Sequence, residues 1–398
     1  MGFFFKFVFM NVVLFDKDPD VFFPLSFTRP ISFFRIGILT IFQKWEKYYS
    51  SVSVYTQTYL SKKFLLNLEN DNLWIDSRII PSADLITELS NLRIGEGLSI
   101  NGEIFAFRNK KFDFTRINII ESNVYVNRIK KLSDIFEKNL KEIVNDFDLI
   151  KKSDFSNSNL NDTKRNISVI GNHPIFIDKS AKLQHCVLNS TNGPIYIGKN
   201  TEIMEGSFIR GPFAILDNSV VKIGAKIYEG TTIGPNCKVA GEVNNVVFFG
   251  SSNKSHEGFL GNSVIGEWCN LGADTNNSNL KNTYDNVKLW DYSKQKFCST
   301  DLQFCGLIMG DHSKCGINTM FNTGTVVGVG ANIYGSGFMR NFIPSFSWGG
   351  SSGFKEYKLT SFLETCARVF ERRSMIMNNI DINILENIFE MTKKYRRF

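Results

Sequence analysis

The chain has 398 residues, 43% of them hydrophobic, and a formal net charge of +7. That length accommodates two or three domains with sizeable cores. The charge is too mild to argue for a nucleic-acid binder, and no zinc-finger, helix-turn-helix or RNA-binding signature accompanies it. It suits anionic small substrates such as phosphates, CoA or nucleotides.

From the N-terminus, "MGFFFKFVFM" is apolar, but Lys6 interrupts the run and no small-residue cleavage site follows. We read Met10 as a true or alternative start and "NVVLF" (11–15) as the first buried strand. No stretch is long enough to span a membrane. "VSVYT" (52–56) reads as a second strand. "ISFFRIGILTIFQKWEKYY" (31–49) and "SADLITELSNL" (82–92) read as helices, the latter capped by Ser82. This alternation predicts an α/β domain over 10–150, closed by an amphipathic helix at 133–150. Residues 151–170 are mostly polar and low in complexity and read as a linker.

A β-helix domain is expected over 171–348. Ile197, Ile203, Ile209, Ile215, Val221, Ile227, Ile233 and Val239 recur at every sixth position, a period that fits neither a helix nor a single strand. Three hexads make one triangular coil, whose repeat residue points inward and stacks on its neighbour a coil away. Gly198, Gly206, Gly224, Gly230, Gly234 and Gly241 punctuate the corners. The register resumes at Ile265 and Leu271, and again from Met309 through Cys315, Phe321, Val327 and Ile333. The intervening 243–264 and 273–308 are expected to loop out and to carry function. The fold class is therefore an α/β N-terminal domain plus a C-terminal left-handed parallel β-helix, followed by a helical tail over 349–398. The seven cysteines include no CxxC pair, which reads as reduced thiols, several in the repeat core, in a cytoplasmic protein.

This combination, with "PLSFTRPISFFRIGILTIFQKWE" (24–46), "GEWCNLGADTNNSNLKN" (266–282), "FCGLIMGDHSKCGINTMFNTGTVVG" (304–328) and "NFIPSFSWGG" (341–350), resembles the bifunctional enzymes of UDP-N-acetylglucosamine synthesis, in their divergent Bacteroidetes-type branch. The resemblance implies an N-terminal sugar nucleotidyltransferase-like domain and a C-terminal acyltransferase. The latter would move an acetyl group from acetyl-CoA to the amine of glucosamine-1-phosphate. It also implies a homotrimer and, if nucleotidyl transfer is active, Mg²⁺ and UTP.

Carried over by spacing, His256 would be the general base, a role suited to a neutral imidazole. Asn270 and Asn279 would bind sugar and intermediate, Glu242 would contact the sugar or support the base, and the Ala273 N–H would lie at the thioester. Phe259 stands where the family has Tyr. Asn244 replaces a phosphate-binding Lys, unless Lys254 or Lys288 covers the phosphate. His312 is the second candidate base; its other reading is a corner residue.

In the N-terminal half, "LFDKDPDVFFPLS" (14–26) lacks the glycines that would close on nucleotide phosphates. Asp16, Asp18 and Asp20 would repel a triphosphate unless Mg²⁺ intervenes. Arg29 and Arg35 remain as phosphate or sugar ligands, or as anchors of a helix. Nucleotidyl transfer is therefore expected to be impaired or lost, which leaves a nucleotide-sugar-binding or scaffold module as the alternative for this half. A carbonic anhydrase on the same prism needs three clustered zinc-binding His; His173, His185, His256 and His312 lack that family's close pair.

Overall fold

The computed structural model describes residues 8–154 and 166–398. The expectation for the leading apolar run, and most of the linker expected at 151–170, lie outside the described residues. Two compact units are present. One comprises the segment up to Phe22, Thr28–Phe34 and Leu39–Lys131; the other comprises Phe23–Phe27, Arg35–Ile38 and Leu132–Phe398.

In the first unit, β1 (Val8–Phe15), β2 (Tyr49–Tyr55), β3 (Asn72–Asp76), β4 (Glu96–Ile100), β5 (Glu103–Asn109) and β6 (Asn118–Glu121) form one mixed sheet. Its order is β2-β1-β3-β5-β4-β6. β1 is parallel to both β2 and β3, whereas β5 runs antiparallel to its two neighbours. Central β3 is buried along its whole length, as a strand covered on both faces must be. Helix α1 (Ile41–Glu46) starts with a reciprocal Thr40–Gln43 capping box. In α2 (Ala83–Ser90) the Ser82 hydroxyl accepts from the Leu85 N–H, as expected.

The helix expected over 31–49 survives only as a single 3₁₀ turn, Ile31–Phe33, and as α1. The reason is local. Gly37 sits at φ 89°, and its N–H is taken at 2.6 Å by the Asn139 side chain. The Ile38 N–H goes to Asp146 at 2.8 Å. These donors are satisfied by side chains rather than by a helical ladder.

The second unit is a left-handed parallel β-helix. The expected hexad residues form its inward columns. Ile209 pairs with Ile227, Ile215 with Ile233 and Val221 with Val239; all eight residues from Ile197 to Val239 are at most 1% exposed. The first register slip is not an excursion. Glu242–Gly250 and Phe259–Glu267 remain paired from Glu242↔Phe259 to Gly250↔Glu267, and the first of these strands pairs with both Lys226–Ile227 and Thr231–Ile233. One strand runs around a corner where a turn is usual, so the coil shortens without leaving the prism. The second slip does leave it, as an antiparallel hairpin of Lys288–Asp291 with Lys296–Ser299.

Helix α3 (Asp134–Asp154) belongs with the prism. The Asn139 amide donates to the Gly230 carbonyl at 2.7 Å and to Thr232 at 3.0 Å. The continuous stretch of the second unit therefore starts at Leu132, ahead of residues 151–170. Beyond the prism, Ser347–Gly350 and Gly353–Glu356 pair as a hairpin. Two helices follow, α4 (Leu359–Glu371) and α5 (Asn379–Thr392), so the helical part of the tail starts later than 349.

Candidate functional site

One corner of the prism carries a cleft of about 500 Å³ lined by Met204, Lys222, Ala240, His256, Ala273 and Asp274, among others. His256 is exposed on the turn between Asn253–Lys254 and Phe259–Glu267. Two polar residues occupy inward positions and shape this turn. Lys254 takes the place of an aliphatic in the column Val239–Lys254–Leu271, between a strand pairing at Val239↔Lys254 and the next coil. Its ammonium donates to the His256 carbonyl at 2.8 Å and to the Ala240 carbonyl at 3.3 Å. Burial pulls it down from the ordinary lysine value to about 8, partly offset by Glu257. Buried Asn277 accepts from the Gly261 N–H and donates to the Gly261 carbonyl, and Asn276 accepts from the Phe259 N–H at 2.8 Å.

Ala273, in the same cleft, accepts through its carbonyl from the Asn318 N–H. Its own N–H has no acceptor in reach among the described residues and is open to a ligand oxygen. The structure thus brings His256 and Ala273 together. Asn270, Asn279 and Glu242 are not among the residues lining this cleft. Asn270 is exposed on the Asn270–Leu271 strand. The Asn279 amide donates to Asn262 at 2.8 Å. Glu242 lies on the ladder between Lys226 and Phe259. Lys254 and Asn277, which brace the turn, escaped sequence reasoning in that role; for Lys254 the visible signal was a lysine on an inward column of otherwise apolar residues.

His312 is a corner residue at φ 62°. It is buried, stacked on Trp268 and Phe370, with its Nδ1 3.5 Å from Cys366 Sγ. That packing is the corner reading, not that of an accessible base.

The first unit has its own cavity of about 620 Å³, lined by Asp16, Lys17, Glu103, Phe107, Phe112 and Phe114, among others. Asp16 accepts from the Ile31 N–H and the Thr56 hydroxyl, and burial pushes its carboxyl up to about 6. Asp76 is clamped by Arg78 through both oxygens. Burial works against ionised Glu103, yet hydrogen bonds from Lys17, Arg78 and Arg128 hold it down at about 2. A Mg²⁺ ion needs carboxylate oxygens free to ligate it; here the Asp76 and Glu103 oxygens serve cationic side chains. The Asp16 oxygens are likewise engaged, by the Ile31 N–H and the Thr56 hydroxyl, so these residues as arranged do not fit the ion. Arg29 and Arg35 are buried and do not line the cavity. Arg35 donates to the Ile38 and Phe249 carbonyls.

A family profile described as sugar nucleotidyl transferase matches residues 12–154. The chain is 30% identical over 110 residues to a Bifunctional protein GlmU of Methanococcus aeolicus, covering 27% of this chain and 25% of that protein. It is 29% identical over 148 residues to a bifunctional sugar-1-phosphate nucleotidylyltransferase/acetyltransferase of Sulfurisphaera tokodaii, covering 36% and 35%. The matched stretches thus span about a quarter to a third of these two relatives. Among solved structures, the Francisella novicida UDP-N-acetylglucosamine acyltransferase is 13% identical, covering 57% of this chain and 87% of that one, with a TM-score of 0.34. The relatives are transferases of nucleotidyl and acyl groups.

Proposed function

We propose that the prism is an acetyl-CoA-dependent acyltransferase acting on the amine of a sugar phosphate, within nucleotide-sugar synthesis. The observation that supports this reading best is the pairing, in one corner cleft, of an exposed imidazole at His256 with an open backbone N–H at Ala273. His256 takes a proton from the attacking amine. The nitrogen forms its bond to the thioester carbonyl carbon, the carbon–sulfur bond breaks, and the thiolate takes the proton back from the imidazolium. The Ala273 N–H stabilises the oxyanion between these steps. The finer kinship with the divergent Bacteroidetes-type branch, a cytoplasmic location and a homotrimer belong to the same proposal. A neighbouring subunit would close the open side of the cleft.

For the first unit, the likeness to sugar nucleotidyl transferases over 12–154 supports binding of a nucleotide-sugar or UTP. The engaged carboxylates favour a binding or scaffold module over turnover. The test is thiol release from acetyl-CoA with glucosamine-1-phosphate, comparing the wild type with His256→Ala. We expect release by the wild type and a loss of about 10²–10⁴-fold in the variant. A folded wild type that releases no thiol overturns this acceptor. Release unchanged in the variant moves the base elsewhere.

A further inference from the structure

A second cavity, of about 370 Å³, lies between the prism and the end of α4, and it shares no lining residue with the His256 cleft. Four cationic side chains line it: Lys238 and Lys314 from the prism, and Arg372 and Arg373 from just past α4. No Asp or Glu is among its lining residues. None of the four cations forms an ion pair among the described residues.

Two of the four are held in place by neutral groups. Lys314 donates to the His312 carbonyl at 3.0 Å, and burial lowers its proton affinity. Arg373 donates to the Asn236 carbonyl at 2.7 Å and the Ser251 carbonyl at 3.0 Å, and its guanidinium lies 5.7 Å from the centre of the Trp268 ring. Trp268 is in turn stacked at 4.2 Å on Phe370 of α4. Two of the four charges, Lys314 and Arg373, are therefore held in position before anything binds, while Lys238 and Arg372 are exposed at the rim.

Four like charges around one cavity repel each other, the more so where water is excluded. Buried or half-buried cations are ordinarily matched by an acid, because desolvation is otherwise uncompensated. The matching charge is missing from the cavity wall. Arginine beside lysine is also the pairing that meets phosphate oxygens, the first by a planar fork and the second as a point charge.

We propose that this cavity is a binding site for a phosphate-bearing anion, recognised by Lys238, Lys314, Arg372 and Arg373. It does not rest on the acyltransferase reading. The phosphate can be free, as in pyrophosphate, or carried on the ribose of a nucleotide.

The experiment is calorimetric titration of the full chain with inorganic pyrophosphate and, separately, with adenosine 3′,5′-bisphosphate. We expect saturable binding of at least one, weakened about tenfold or more in Lys314→Met and in the exposed pair Lys238→Ala/Arg372→Ala. His256→Ala should leave it unchanged. Tighter binding of the bisphosphate assigns the site to a nucleotide; equal or tighter binding of pyrophosphate assigns it to the free anion. No binding of either at millimolar concentrations overturns the proposal. So does affinity unaltered in the folded surface double variant and in Lys314→Met. Because the readout is binding and not thiol release, its failure is separable from failure of the proposed activity.

Discussion

The Lys254 ammonium lies 2.8 Å from the backbone carbonyl of His256, so a residue facing the inside of the prism holds the turn that carries the candidate base. Its two neighbours in the column are aliphatic, Val239 on one side and Leu271 on the other. Lys254→Met keeps length and volume and removes the donor. The His256 and Ala240 carbonyls then lose their partner, and the turn that carries the imidazole loses that anchor. We expect thiol release to fall about tenfold, in kcat more than in KM. An unchanged kcat would show that the turn holds its shape without Lys254.

The same lysine predicts a pH dependence of stability. Its folded value of about 8 lies below the ordinary 10.5. Between these limits the unfolded chain binds the proton and the folded chain does not, so stability rises with pH. Below pH 8 both states are protonated and the burial cost is carried in full, on the order of 2–3 kcal/mol. Glu257 and Asp274 oppose the shift, and Lys226 adds to it. Buried Cys237 and Cys269 titrate above their ordinary value and act in the opposite direction at alkaline pH. The informative quantity is therefore the difference between wild type and Lys254→Met. In urea unfolding, the wild type should gain on the variant as pH rises from about 8 to about 10. A constant difference would mean that Lys254 is neutral or solvated in the fold.

Asp16 gives a prediction of opposite sign in the first unit. Its carboxyl is raised from 3.8 to about 6, so the folded state binds the proton more tightly. The stability this provides is fully present below pH 3.8 and is lost as pH rises through 6. Asp16→Asn keeps an acceptor for the Ile31 N–H and a partner for the Thr56 hydroxyl, and it removes the buried charge. The variant should be more stable than wild type at neutral pH by on the order of 1–3 kcal/mol. The gain should vanish below about pH 4. Thermal unfolding at the two pH values decides it, and a variant less stable at neutral pH would refute it.

The prism was legible because each inward position of a coil demands an aliphatic at a fixed period, and residues 197–239 obey it. The slip after Val239 was misread for a physical reason. A strand that runs through a corner keeps its ladder while dropping turn residues, so the pairing Glu242↔Phe259 persists though the period does not. The helix expected over 31–49 failed because Asn139 and Asp146, distant in sequence, take the Gly37 and Ile38 donors. Spacing carried over from the resemblance singled out His256 and Ala273, and both line one cleft. It could not show that Asn270 and Glu242 lie outside their cleft, since facing direction along short strands depends on the local coil length.

Gly258, two residues after His256, carries the last prediction. It adopts φ 119°, a conformation that side chains rarely take. A Cβ there would stand 2.2 Å from the Thr275 carbonyl oxygen, a backbone atom with little room to move. Its own carbonyl accepts from the Glu242 N–H at 3.3 Å, so displacing the glycine also disturbs the strand beside it. Gly258→Ala should therefore shift the His256 turn away from Ala273. We expect loss of most thiol release and a destabilisation of about 1–3 kcal/mol. Gly224→Ala is the matching control. It too has positive φ, at 71°, but no atom lies within 4 Å of the place its new methyl would take. It should cost stability by strain alone and leave turnover largely intact. Equal losses of activity in the two variants would mean that the turn at Gly258 does not set the position of the base.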